Sequence, residues 1–194
     1  MSKAINVNST TENQVAQFLA PEAHQRPVFH AQPYSLDARG FYFTDMDDYQ
    51  AKYDANRNRF GLHVEEYEIQ FIDGDSEDAQ LFEAVGIDQG SIGKFFELID
   101  EMDDYQKPGL YFLLDMGYDL DDALDKIDDV MIQEGSLEEA AETLFDEIYL
   151  EQIPANLQSY IDYSAFARDC EYSGDFREFE FVGTTYTCTN ANSI

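Results

Sequence analysis

From Pro27 onward, short apolar stretches alternate with turn residues, and the spacing of the apolar positions changes twice along the chain. VFHAQPY and GFYFTD are β-rich runs separated by the turn-like SLDARG, and VEEYEIQFID sets Val64, Tyr67, Ile69 and Phe71 in imperfect period-two alternation. Between them Asp45 or Asp47 can cap a helix across MDDYQAKYDANRN. Residues 27–73 therefore predict a small N-terminal α+β domain of order β-β-α-β. Asp73-Gly74-Asp75 breaks this pattern, and apolar positions then recur at helical spacing. SEDAQLFEAVG opens on acids and ends on Gly86. SIGKFFELIDEMDDYQ places Ile92, Phe95, Phe96, Ile99 and Met102 on one stripe with acids opposite, and Pro108 can open PGLYFLLDMG. DLDDALDKIDDVM predicts a helix burying Leu120, Leu124, Ile127 and Met131, and Ser136-x-x-Glu139 is a capping box before an apolar run. Residues 74–152 thus read as an acidic helical domain of four or five helices.

Pro154 starts a further helical stretch, PANLQSYIDYSAFARDCEY, which Gly174 ends. FREFEFV and TTYTCT are β-prone and can form a hairpin across Val182-Gly183, so residues 153–194 read as a C-terminal α+β domain. Residues 1–26, rich in Ser, Thr, Asn and Gln, read as a flexible N-terminal extension with a short helix over Glu12–Leu19. The expected fold is α+β and elongated: a small N-terminal α+β unit, a helical middle domain and a small C-terminal α+β unit, with no fixed-period repeat.

Charge changes this picture from architecture to function. Eleven Lys and Arg stand against 41 Asp and Glu in 194 residues, a net charge of -30, although 44% of residues are hydrophobic and 14% aromatic. The excess is concentrated: residues 61–180 hold 34 acids and five bases, residues 1–60 hold seven acids and six bases, and residues 181–194 hold no charged side chain. A surface of that sign excludes a general phosphate-binding role and favours basic partners. The acids interleave with Phe, Tyr, Leu and Ile at folded-protein spacing, unlike a solvated acidic tail, so the carboxylates should occupy fixed positions. Cys170 and Cys188 form no C-x-x-C pair and read as ordinary thiols in a reducing setting. No apolar run approaches the ~20 residues of a membrane span, and the polar N-terminus has no signal-peptide core. A cytoplasmic protein without membrane contact is expected.

Motifs of chemistry fail on inspection. A P-loop needs Gly where Asp88 stands and Ser or Thr where Phe95 follows Gly93-Lys94. An EF-hand loop counted from Asp73 places Asp78 at its glycine position and Ala84 at its glutamate position. His24, His30 and His63 have no H-E-x-x-H spacing, and G-x-S-x-G is absent. Acid pairs such as Asp103-Asp104 are unavoidable among so many carboxylates and carry no weight for two-metal chemistry. No catalytic residue, metal ligand or cofactor is expected.

The ensemble of acids is the unusual feature. Helix neighbours four residues apart lie ~5–6 Å from one another, similar to the scale on which phosphates repeat. Acids on packed helices can therefore imitate two rails of phosphates. At one charge per ~1.7 Å of B-DNA axis, 29 net charges match about 49 Å of duplex and a dimer about 99 Å. The expected phosphate-mimicking positions begin with Glu65, Glu66, Asp73, Asp75, Glu77 and Asp78. They continue through Glu97, Asp100, Glu101, Asp103, Asp104, Asp115 and Asp119. Asp121, Asp122, Asp125, Asp128 and Asp129 form the densest run, and Glu138, Glu139, Glu142, Asp146 and Glu147 complete the set.

The run IPANLQSYIDYSAFARDCEYSGDF resembles the ArdA antirestriction family, whose members carry a related proline-led helix, a Tyr/Phe-Asp-Tyr segment and an aromatic-Ala/Gly-Arg-Asp segment. The matching positions are Tyr160, Asp162 and Tyr163, then Phe166, Arg168 and Asp169. VEEYEIQFIDGD also looks like the family's strand entering its acidic middle. The resemblance spans roughly residues 27–190; the first 26 residues depart from it. It implies an elongated, dimeric mimic of bent B-DNA, typically encoded on a mobile element, that occupies the DNA-binding groove of Type I restriction-modification enzymes. SLEEAAETLFDEIY would take the place of the family's short antirestriction segment near its dimer contact. No direct binding to nucleic acid is implied. Two other readings compete: an acidic adaptor for another basic or DNA-binding protein, and a carboxylate-metal enzyme.

Overall fold

The structure, a computed structural model, describes residues 26–194. The helix expected over Glu12–Leu19 lies outside the described residues. The first strand, β1 (Val28–Pro33), pairs antiparallel with β2 (Phe41–Phe43) and with β3 (Tyr67–Asp73), giving the sheet order β2-β1-β3. Between β2 and β3 runs α1 (Met46–Ala55), and its cap is Asp45, whose carboxylate accepts the Asp48 backbone N–H at 2.8 Å. The β-β-α-β order read from the sequence is the order found. Phe29 faces Phe43 on one side and Phe71 on the other. Its ring also meets Phe82 and Phe96 with centroids 5.7 and 5.1 Å away. That residue anchors the sheet to the helices that follow.

Four helices come next: α2 (Ser76–Val85), α3 (Ile92–Glu101), α4 (Lys107–Asp115) and α5 (Leu120–Lys126). Gly86 ends α2 in the left-handed region, and Pro108 sits in the first turn of α4, both as expected. In α3 the buried residues are Ile92, Phe95 and Leu98, while Phe96 and Ile99 are half-buried at the edge of the core. In α4, Leu110, Phe112 and Leu113 are fully buried, so this helix is central.

The next helix corrects the sequence reading. Of α5, Ala123 alone is buried; Leu124 is 37% exposed and Met131, beyond the helix, is 64% exposed. Leu120 and Ile127 are half-buried against the core as expected. Ala123 belongs to the core cluster, with Leu120 and Ile127 packed against it, and Leu124 stays outside that contact.

A strand follows that the periodicity did not reveal. β4 (Ile132–Glu134) is too short to show alternation. It pairs with the C-terminal hairpin of β5 (Arg177–Phe181) and β6 (Thr184–Cys188), giving the order β4-β6-β5. The hairpin turns at Val182 and Gly183, with φ of 50° and 73°. Both values belong to the left-handed region that two-residue hairpins require, and Val182 is the only non-glycine with positive φ among the described residues.

Between β4 and β5 lie α6 (Leu137–Ile148), opened by the Ser136–Glu139 capping box, and α7 (Tyr163–Ser173). The stretch from Pro154 is corrected: residues 154–162 form turns and a short 3₁₀ segment, and α7 begins only after Asp162 caps it. Gly174 ends α7 as expected.

The protein is therefore α+β, with seven α-helices and two three-stranded antiparallel sheets among the described residues. One apolar cluster runs from Phe29 through α2, α3 and α4 to Phe181 of β5; a smaller one joins Ala140 and Ala141 of α6 to Ala167 and Phe176.

Candidate functional site

The carboxylates are held where the helices need them to be polar. α5 is the densest case. Asp119 caps it by accepting the Asp122 backbone N–H at 2.9 Å, and Asp121 and Asp122 occupy its first turn, where the helix dipole favours anions. Asp121, Asp122 and Asp125 are exposed, as are Asp128 and Asp129 on the 3₁₀ turn that continues the helix. On α3, Glu97, Asp100 and Glu101 are exposed opposite Phe95 and Leu98. Asp103 and Asp104 are exposed in the turn before α4; Asp115 and Asp119 are exposed between α4 and α5. On α6, Glu138, Glu139, Glu142 and Glu147 are exposed, and Glu65, Glu66 and Asp73 are exposed at the ends of β3.

The remaining expected positions turn inward to differing degrees. Asp75 and Glu77 are half-buried at the start of α2. Asp146 is half-buried and accepts the Tyr163 hydroxyl at 2.6 Å. Asp78 is buried. Lys107, itself 3% exposed, brings its Nζ to 2.9 Å from both Asp78 and Asp104 and 3.6 Å from Glu77. Burial alone would push the Lys107 ammonium down. The close carboxylates of Asp104 and Asp78 outweigh it and hold the group above the usual lysine range. A buried lysine thus takes Asp78 out of the outward-facing set while it also pairs with exposed Asp104. Lys107 belongs to no chemical motif, and its trace in sequence is Asp104 three residues ahead of it.

Two more cations meet the acidic surface. Lys94 lies 3.4 Å from Asp121, bridging α3 and α5, and Arg177 lies 3.4 Å from Asp115. Both pairs are exposed and so are weak individually, ~0–1 kcal/mol.

The residues of the C-terminal motif mostly build α7. Asp162 accepts the Ala165 backbone N–H at 2.9 Å, and Phe166 stacks edge-on against Phe145 of α6 with centroids 5.1 Å apart. The bond to Asp146 pushes Tyr163 up to about 12. Arg168 and Asp169 are exposed, and Tyr160 is exposed in the turn before the helix.

Between α3 and α5 lies a groove of about 400 Å³ with Leu98, Met102, Leu124 and Ile127 on its floor and Glu97, Glu101 and Asp121 on its rim. Among the described residues no group of three or more His, Cys, Asp or Glu is placed to hold a metal ion, and no helix is long and apolar enough to cross a membrane. Cys170 and Cys188 are free thiols, both raised above the usual range by burial.

A family model described as "Antirestriction protein (ArdA)" matches residues 37–185. That span runs from before β2 to the first two residues of β6, and takes in the whole acidic array. No curated protein matches the chain.

Proposed function

Because the chain belongs to the ArdA family of antirestriction proteins, we propose that it inhibits Type I restriction-modification enzymes by occupying their DNA-binding groove as a mimic of double-stranded B-DNA. The observation that carries this reading is the outward placement of Glu97, Asp100 and Glu101 on α3 and of Asp121, Asp122, Asp125, Asp128 and Asp129 on and beyond α5. These carboxylates stand on a packed core, so their spacing is set before the partner arrives. A rigid array loses less entropy on binding than a mobile tail would. The inhibitor works without catalysis, in the cytoplasm where restriction enzymes meet incoming DNA, and as a homodimer whose charge matches about 99 Å of duplex.

The test is a titration of purified protein into a Type I enzyme cleaving its substrate DNA. Inhibition should be complete at about one inhibitor per DNA-binding site, should appear without delay, and should be relieved by excess duplex. Inactivation at a small fraction of that ratio, growing with time, would assign catalysis instead.

A further inference from the structure

Leu124 is out of place on a phosphate-like surface. It is 37% exposed in the middle of the most acidic helix, between Asp121, Asp122 and Asp125. Phosphates have no apolar counterpart, so charge mimicry alone gives this position no reason to be leucine. Nor does the core use it, since this stretch packs through Ala123, Leu120 and Ile127. The side chain instead completes the floor of the groove between α3 and α5, beside Leu98, Met102 and Ile127. The rim of that groove is acidic on both helices, with Glu97 and Glu101 on one and Asp121 on the other. Lys94, 3.4 Å from Asp121, crosses it.

An apolar floor between anionic rims selects its occupant by chemistry. Desolvating the floor favours an aliphatic or aromatic side chain, and the rims favour lysines or arginines on either side of it. We infer that this groove is an anchor site for a cationic segment of the inhibited enzyme, seating one apolar side chain of that segment against Leu124 while its flanking basic side chains meet Glu97, Glu101 and Asp121. This rests on the inhibitory reading above and adds to it a contact that DNA itself cannot make. The anchor supplies affinity insensitive to salt, whereas the carboxylates supply affinity that salt weakens.

The experiment measures binding to a Type I enzyme for wild type, Leu124→Gln and Leu124→Glu across a series of salt concentrations, with thermal melting as the fold control. Leu124→Gln leaves the net charge alone, so affinity should fall about tenfold with an unchanged salt slope. Leu124→Glu separates the two ideas by sign. A purely electrostatic surface gains or holds affinity for a basic partner when an acid is added; an apolar anchor site loses it. Wild-type affinity in both variants, or a gain in Leu124→Glu, would overturn the anchor while leaving the mimic intact. An enzyme that the wild-type protein fails to bind would instead sink the inhibitory reading. The groove is then decided by two short peptides, one alternating lysine with leucine and one alternating lysine with serine. Tighter binding of the leucine peptide, with NMR shifts centred on Leu98, Leu124 and Ile127 and lost in Leu124→Gln, supports the site. Equal binding of both peptides overturns it.

Discussion

At the scale of single residues, Lys107 bears on stability because it neutralises the buried carboxylate of Asp78. Replacing it with Met keeps the stem's packing but leaves buried Asp78 without its cation. Removing one partner of a buried pair costs ~3–5 kcal/mol, and urea unfolding of Lys107→Met should show a loss of that size. Exposed Lys94→Met should cost under ~1 kcal/mol. The pH dependence has a definite sign. The folded Lys107 group titrates above its unfolded value of ~10.4, so its contribution is complete below that value and is lost as pH rises through the raised one. A wild-type advantage over Lys107→Met that grows as pH rises above ~10.4 would contradict this assignment.

Val182 carries a cost written into the backbone. A β-branched side chain at φ 50° sits where L-residues are disfavoured by roughly 1–2 kcal/mol. Asn tolerates that region and suits the first position of such a hairpin turn. Val182→Asn should therefore raise stability by about 1 kcal/mol, read as a higher melting temperature. The turn itself was visible in the sequence as Val182-Gly183 between two β-prone runs. The cost was not, because it depends on which residue of the pair takes which dihedral.

At the scale of elements, what the sequence revealed depended on how many turns of pattern each element offers. The capping box at Ser136, the glycine stops at Gly86 and Gly174, and Pro108 in the first turn of α4 are local signals, and each is in place. α5 was misread because Leu120, Leu124, Ile127 and Met131 fit a helical stripe, yet tertiary packing chose the smaller Ala123 as the contact. β4 escaped notice because three residues cannot show alternation, and only its partner β6 makes it a strand. Residues 154–162 carry helix-compatible side chains but lead into an Asp162 cap, which marks the true start of α7. The acids of the candidate site were legible as a set, but their burial was not. Asp78 looks like Asp121 in sequence, yet Asp78 is buried against Lys107 while Asp121 stays exposed beside Lys94.

The corrected placement of α5 changes which apolar substitutions should unfold the protein. Leu113→Ala empties a fully buried position and should cost ~2–5 kcal/mol. Leu124→Ala removes a side chain that is 37% exposed, so it should cost under ~1.5 kcal/mol. Equal losses in denaturant melts would place Leu124 inside after all. The cap of α6 supplies a pH test at the same scale. Hydrogen bonds from the Ser136 backbone N–H and hydroxyl hold the Glu139 carboxyl below the usual range. Its contribution is thus present above ~4.3 and disappears as pH falls through the lower folded value. Glu139→Gln should be less stable than wild type at neutral pH and indistinguishable from it in strong acid.

At the scale of the whole molecule, a net charge of -30 acts on folding and on binding with opposite signs. Self-repulsion weakens the compact state, and salt screens it. The same screening weakens attraction to a basic groove. Raising salt should therefore increase the melting temperature while lowering inhibitor affinity. Neutralisation should do what salt does, but locally. Asp121→Asn, Asp125→Asn or Asp128→Asn alone should leave inhibition within a few-fold of wild type, since an exposed charge contact is worth ~0–1 kcal/mol. Changing Asp121, Asp122, Asp125, Asp128 and Asp129 together should weaken inhibition cumulatively and flatten its salt dependence. Asp121 and Asp122 sit in the first turn of α5, where losing their charge gives back a few tenths of a kcal/mol of helix-dipole stabilisation. Asp125, Asp128 and Asp129 lie beyond that turn, so their neutralisation relieves repulsion without that loss. Asp119 must stay, because it caps the helix. The five-fold variant should then melt at or above the wild-type temperature while inhibiting poorly. If one Asp→Asn change abolishes inhibition in a normally melting protein, the work is not shared among carboxylates, and the mimicry reading falls with it.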